Sequence, residues 1–250
     1  MAGHSHWAGI KHKKAAVDAK KGKIWSKISK AIIVAAKNGG GDPETNLPLR
    51  YAIDKAKDAN MPKDNIEKAI KKGTGELEGV NYEQVLYEGY AAGGVAVMLD
   101  SLTDNRNRTA PEIKKMFERR GGSLGTSGCV SWMFKKKGLI TVSTEDADED
   151  KLMEIALSAG ADDMEKSGDV FEITCQPGAF EALKNNMKEN QMPTQVAEIS
   201  MVPENNVAVN DVETARKVVA LMEDFEEHDE IQNVYTNFDI PDEVMEKIEK

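Results

Sequence analysis

Residues 1–38 contain nine lysines and two tryptophans, and the chemistry of these side chains suits a polyanionic partner. Ammonium groups neutralise phosphate, and an aromatic ring can stack on a base. Asp18 is the only carboxylate in this stretch, whereas an ordinary solvated helix surface mixes both signs. The pattern predicts contact with nucleic acid; the alternative is a solvated helix face with one buried tryptophan. The candidate contacts are Trp7, Lys11, Lys13, Lys14, Lys20, Lys21, Lys23, Lys27, Lys30 and Lys37.

A short polar segment at residues 103–109 is the second candidate site. It carries Asn105, Arg106, Asn107 and Arg108 between a predicted strand and a predicted helix. Two guanidinium groups can bind phosphate in a forked geometry, and the two amides add hydrogen bonds. An asparagine or threonine could equally cap the following helix while the arginines pair with nearby carboxylates. Both interpretations stay open on the sequence.

The glycine-rich residues 121–128 are the third candidate, since such a loop can present backbone N–H groups to an anion. The segment has neither the lysine of a P-loop nor the spacing of a dinucleotide-binding turn, so a flexible connection is favoured. His4, His6 and His12 have no cysteine or nearby carboxylate to complete a metal site. No catalytic set stands out. We therefore expect no metal, no cofactor, no small-molecule substrate and no enzymatic activity.

The charge is divided unevenly along the chain. Residues 1–79 contain 16 Lys and Arg against 9 Asp and Glu, whereas residues 80–250 contain 17 against 34. A basic module joined to an acidic body is typical of a protein that contacts polyanions through one part only. No apolar run approaches the roughly 20 residues that cross a bilayer, so no membrane partner is expected.

Residues 1–79 are predicted to form a helical domain. Ile28 and Ile32 lie on one face of a helix over residues 23–38, and Gly22 is predicted to separate it from a shorter helix before it. Two more helices follow, the last bounded by Pro62 and Gly73. The face opposite the isoleucines carries Lys23, Lys27, Lys30 and Lys37.

Beyond residue 80 the hydrophobic period becomes that of strands. Strands are predicted near residues 85–89, 95–99 and 130–134, with a helix over 110–120. Residues 137–203 then show the order β-α-β-β-α-β of a ferredoxin-like unit. A helix and a strand remain after it, which predicts that this unit is inserted into another domain. The expected fold is α+β, with domains at 1–79, at 80–136 plus 204–250, and at 137–203.

Six motifs in fixed order resemble the YebC/PmpR family. They are MAGHSHW at 1–7, KHKK at 11–14, NMP at 60–62, YEGY at 87–90, TDNRNRT at 103–109 and GTSGCV at 125–130. The resemblance covers nearly the whole chain. It implies one helical and two α/β domains, and a cytoplasmic, DNA-binding transcriptional regulatory protein.

The same family is similar to the mitochondrial translational activator of cytochrome c oxidase. This similarity implies an alternative, a translation factor that binds ribosomal RNA or the ribosome and relieves stalling. A more remote alternative is a protein-interaction adaptor that works through the acidic body. The sequence contains no clear helix-turn-helix signature, and its lysines position a backbone more than they distinguish bases.

Overall fold

Three helices form the first unit of the structure, a computed structural model that describes residues 19–249. α1 spans Ala19–Gly39, α2 spans Leu47–Asp58 and α3 spans Lys63–Thr74. Their apolar stripes meet in one cluster, in which Ile32 and Leu49 are fully buried. The helical start of the chain is therefore confirmed over the described part of residues 1–79.

Two glycines in these helices act differently from the prediction. α1 continues through Gly22, because the packing of its apolar face outweighs the roughly 1 kcal/mol that a helical glycine costs. α3 passes Gly73 and ends at Thr74, and the left-handed residue is Gly75 with φ 83°. A Cβ on Gly73 would lie 2.5 Å from the carbonyl oxygen of Ile33. Gly73 therefore allows α3 to approach α1 closely.

A mixture of strands and helices follows to the end of the described chain. In order they are β1 (Glu83–Tyr90), β2 (Ala96–Thr103), α4 (Arg106–Arg119), β3 (Ser123–Leu124), β4 (Phe134–Ser143), α5 (Glu149–Ser158), β5 (Ala161–Ser167), β6 (Val170–Cys175), α6 (Phe180–Glu189), β7 (Thr194–Pro203), β8 (Val207–Ala208), α7 (Val212–Glu227), β9 (Ile231–Thr236), β10 (Phe238–Asp239) and α8 (Asp242–Glu249).

Two four-stranded sheets organise these elements. The first has the order β3-β1-β2-β9, so a strand from the C-terminal segment completes a sheet begun by β1 and β2. Its core includes Leu99, Phe117 and Phe225, each fully buried. A short parallel pair, β10 with β8, lies beside it. The chain thus leaves this unit after β3 and returns to it after β7.

The second sheet has the order β5-β6-β4-β7, with every neighbouring pair antiparallel. This is the strand order of a ferredoxin-like unit, and α5 and α6 cover the sheet around Ile140, Phe171 and Phe180. The α+β fold class is confirmed. The domain boundaries at residues 79, 136 and 203 remain our proposal, supported by the membership of the two sheets.

Two predicted boundaries were wrong. Residues 131–133 form a 3₁₀ turn, Ser131–Met133, and the strand starts only at Phe134. The helix predicted from residue 110 begins at Arg106, because Asn105 caps it by accepting a hydrogen bond from the backbone N–H of Arg108. The polar segment 103–109 is therefore mostly the first turn of α4 and not a loop. Among residues 19–249, no helix is both long and apolar enough to cross a membrane.

The close approach at Gly73 can be tested with a matched pair of glycine substitutions. Gly73→Ala should destabilise the helical unit by about 1–3 kcal/mol, because the new methyl group meets backbone of α1. Gly22→Ala should be neutral or stabilising, since its added Cβ meets no described atom within 4 Å and alanine favours the helix. Thermal unfolding of both variants measures the difference; equal melting temperatures would contradict this account of Gly73.

Candidate nucleic-acid interface

The lysine face of α1 contacts the turn between α7 and β9. Lys27 Nζ donates to the carbonyl oxygen of Glu226 at 2.7 Å, and Lys30 Nζ donates to the carbonyl oxygen of Asp229 at 3.0 Å. Lys23 Nζ lies 3.6 Å from a carboxylate oxygen of Asp229. The last carbonyls of a helix have no partner within the helix and carry its negative pole, so they attract cations.

The linker before β1 adds to this contact. Lys37 Nζ donates to Asn81 Oδ1, and Lys30 Nζ lies 5.5 Å from the centre of the Tyr82 ring. Lys23, Lys27 and Lys30 are partly buried as a result. The sequence placed Lys23, Lys27, Lys30 and Lys37 on an outer face of the helix. In the structure, all four contact residues that follow the helical unit. Sequence periodicity locates a face of a helix but does not show what covers it.

The remaining N-terminal candidates give less structural information. Trp7, Lys11, Lys13 and Lys14 lie outside the described residues, as does the side chain of Lys20. Lys21 is exposed near the start of α1. Their contact with nucleic acid remains a prediction.

The segment 103–109 mainly ties α4 to the rest of its unit. Arg108 Nη2 donates to Asp104 at 2.7 Å and also to the carboxylate of Glu230, which is 6% exposed. The hydroxyl of Thr109 donates to the other Glu230 oxygen, and Thr103 Oγ1 accepts from the N–H of Asn105 at 2.8 Å. Of the two interpretations, the helix cap with a paired arginine describes Asn105 and Arg108.

Arg106 and Asn107 are placed differently from their neighbours. Both are exposed in the first turn of α4, and neither side chain forms a hydrogen bond or ion pair with another described residue. The forked pair of arginines is therefore not assembled, and one cation and one amide remain available to a ligand.

Gly128, the last residue of the glycine-rich segment, and two residues after it present backbone N–H groups to an anion, which is a carboxylate of the protein itself. The carboxylate of Glu88 accepts from the N–H groups of Gly128, Val130 and Ser131 at 2.7–2.8 Å. Burial by itself would raise the pKa of Glu88, but these three hydrogen bonds outweigh burial and hold that pKa below its ordinary value. These bonds anchor the last residue of the glycine-rich segment 121–128 and two residues that follow it. The flexibility expected for residues 121–128 remains a prediction.

A groove of about 310 Å³ lies between α1 and α3 and was not identified from the sequence. It is lined by Trp25, Ser26, Ser29, Met61, Asn65, Lys68, Ala69 and Lys72, a set that contains no carboxylate. Trp25 is held by a hydrogen bond from its indole N–H to the carbonyl oxygen of Ala59 at 2.9 Å. The spacing of Asn65, Lys68 and Lys72 on one helical face was the available signal.

Lys68 and Lys72 differ from Lys23, Lys27 and Lys30 of α1 because they form no hydrogen bond or ion pair with the described α/β part of the chain. Both are exposed, and neither forms an ion pair with another residue of 19–249. Two ammonium groups, two hydroxyls, one amide and an indole form a surface that can bind phosphate and sugar. In the same described range, no three His, Cys, Asp or Glu side chains are grouped as metal ligands.

Two family models and similar curated proteins all place this chain in the same family. Residues 5–76 match the family model described as the TACO1/YebC protein N-terminal domain, and residues 82–238 match the TACO1/YebC second and third domain. A probable transcriptional regulatory protein of Halothermothrix orenii is 57% identical over 250 residues, covering 99% of each chain. One of the same description from Natranaerobius thermophilus is 55% identical, covering 98% of this chain and 99% of its own.

A solved structure agrees with this result. The crystal structure of a conserved hypothetical protein from Aquifex aeolicus, 50% identical, superposes with a TM-score of 0.85 and covers 95% of this chain and 98% of its own.

The docking of α1 can be tested by removing two ammonium groups. Lys27→Gln with Lys30→Gln should weaken the contact with the 226–229 turn by on the order of 1 kcal/mol for each hydrogen bond. Amide hydrogen exchange should then accelerate in α1 and in the linker at 75–82, while α5 and α6 keep their protection. Lys57→Gln with Lys71→Gln, both exposed, is the control of equal charge change. If hydrogen exchange is unchanged and nucleic-acid binding is lost, the lysines of α1 bind nucleic acid directly, as the sequence predicted.

Proposed function

We propose that this chain, which belongs to the TACO1/YebC family, is a nucleic-acid-binding regulator of gene expression that holds a phosphate backbone in the groove between α1 and α3. The observation that carries this proposal is the lining of the groove. It combines two unpaired lysines with hydroxyl, amide and indole groups, and it includes no carboxylate in a chain whose net charge is −10. The names of the relatives support the class of function.

Electrostatics favour this groove over the rest of the molecule. Lys68 and Lys72 are four residues apart on α3, so they are separated by about 6 Å along the helix axis. Two ammonium groups at this spacing can contact neighbouring phosphates of one strand. The excess of acidic residues in 80–250 disfavours a phosphate backbone over much of that part of the chain. The exposed Arg106 is a second positive group, in the first turn of α4.

The arrangement of α1 bears on which nucleic acid is bound. A helix that distinguishes bases must enter the major groove of DNA with one face uncovered. α1 packs against α2 and α3 on one side and against the 226–229 turn on the other. Lys23, Lys27 and Lys30 therefore cannot enter a major groove while this contact is intact. Backbone contacts supply affinity with little discrimination between sequences.

The relatives are named transcriptional regulators, which favours DNA as the target. The covered α1 favours a second candidate, a translation factor that recognises folded ribosomal RNA. RNA of this kind is recognised largely through shape and backbone, so no uncovered recognition helix is needed. Both candidates use the same groove, and they differ in partner only.

The groove is tested by Lys68→Gln with Lys72→Gln. The double variant should bind nucleic acid about tenfold or more weakly at low salt, and the slope of log affinity against log salt should fall by about 1.4–1.8. Lys151→Gln with Lys188→Gln removes the same charge from exposed positions of α5 and α6 and serves as the control. Titration across a salt series measures both quantities. Equal loss in the two double variants would mean that net charge, and not the groove, determines binding.

The partner is tested by two measurements at the same salt concentration. Competition between promoter and random DNA should show tenfold discrimination or less, far below the ~10³ of a specific DNA-binding protein. Sedimentation should find the protein with ribosomes at low salt and not at high salt. Strong promoter preference without ribosome sedimentation would contradict the translation candidate and leave the transcriptional one.

A further inference from the structure

Trp132 is the most exposed large apolar side chain of the described residues, with 68% of its surface accessible. It lies in the 3₁₀ turn Ser131–Met133, directly before β4. Tryptophan is highly buried on average in folded proteins, and the exposed ring of Trp132 offers a face on which a base can stack.

The turn holds the Trp132 ring in one orientation. The indole N–H donates to the carbonyl oxygen of Cys129 at 3.1 Å, so the polar edge of the ring is already satisfied. The backbone around Cys129 is fixed in turn by the carboxylate of Glu88, which accepts from Gly128, Val130 and Ser131. A ring that is ordered before binding loses little conformational entropy when a ligand stacks on it.

One lysine close to this turn in the sequence is available to an anionic ligand. From Arg119 to Thr144 the sequence has five Lys or Arg and no Asp or Glu. Four of these cations are paired with carboxylates from other parts of the chain: Arg119 and Arg120 with Asp224, Lys135 with Glu204, and Lys137 with Asp162. Lys136 is exposed and forms no ion pair with another described residue. Glu204 reaches the turn through its backbone N–H, which donates to Met133 at 2.9 Å, but its carboxylate is paired with Lys135. The carboxylate of Glu88 is enclosed by backbone N–H groups.

We propose that Trp132 stacks on an unpaired base of single-stranded RNA or DNA, with Lys136 near the adjoining phosphate. This proposal rests on the proposed function, and it specifies the kind of nucleic acid that this surface takes. The faces of a paired base are covered by its neighbours in a duplex, so an aromatic ring can stack only where a base is free. An aromatic protein contact is the competing occupant, and the exposed Lys136, which forms no ion pair with another described residue, favours the base.

The test uses the full chain and a decamer of RNA that carries 2-aminopurine, with the matching DNA decamer and an RNA duplex as further probes. Trp132→Ala should weaken binding of the single strands about 5- to 100-fold. Trp132→Phe should restore most of the affinity because it keeps a stacking face, whereas Trp132→Leu should not. Binding of the duplex should be unchanged in all three variants. A difference between the RNA and DNA decamers identifies which strand the site prefers.

Three outcomes would overturn the proposal. If Trp132→Ala binds both decamers as tightly as the native chain, the ring takes no part in binding nucleic acid. If that variant also loses a protein contact, the ring belongs to a protein interface. If Trp132→Leu restores affinity as well as Trp132→Phe does, apolar burial and not stacking is the cause. If the native chain binds neither single strands nor duplex, the proposed function fails as well.

Discussion

Two ammonium groups of α1 bind carbonyl oxygens at the end of α7, and this contact determines which basic surface of the protein remains exposed. The same turn provides Glu230, whose carboxylate binds Arg108 and Thr109 at the start of α4 and whose carbonyl oxygen accepts from Leu102 of β2. Residues 226–230 thus connect the N-terminal helices, α4 and the first sheet. By composition, α1 was expected to bind nucleic acid. In the structure, most of its lysine face packs against the protein itself.

The separation of charge has two consequences that follow from this contact. Acidic residues and the end of a helix dipole in the body hold the basic helices in place, so the opposite charges of the two parts stabilise their association. Lys68 and Lys72 of α3 line the groove and form no ion pair with another described residue. The α2 side is also covered, since Tyr51 packs edge-on against Phe180 at 6.1 Å and Lys55 lies 3.5 Å from Glu198.

The fold was largely predictable because it follows from periodicity. The order of elements between β4 and β7 predicted the ferredoxin-like sheet, and the strand left over after β7 predicted its return to the first sheet. Contacts between distant residues were not predictable in the same way. Gly22 and Gly73 looked like helix ends, but tertiary packing decided both. Lys27 and Lys68 are the same residue type on similar helices, and only their neighbours in space distinguish a structural lysine from an available one. The Glu88 carboxylate, 40 residues from Gly128 in the sequence, binds the last residue of the glycine-rich segment.

The most direct measurement of the central claim is ultraviolet crosslinking of the full chain to nucleic acid in cells, followed by identification of the attached peptides. We expect attachment at the groove, in the α3 peptide that contains Lys68 and Lys72 and at Trp25. Lys27 and Lys30 should stay unmodified because they face the 226–229 turn. Attachment concentrated at Lys27 and Lys30, with α3 unmodified, would show that nucleic acid binds the lysine face of α1 and not the groove.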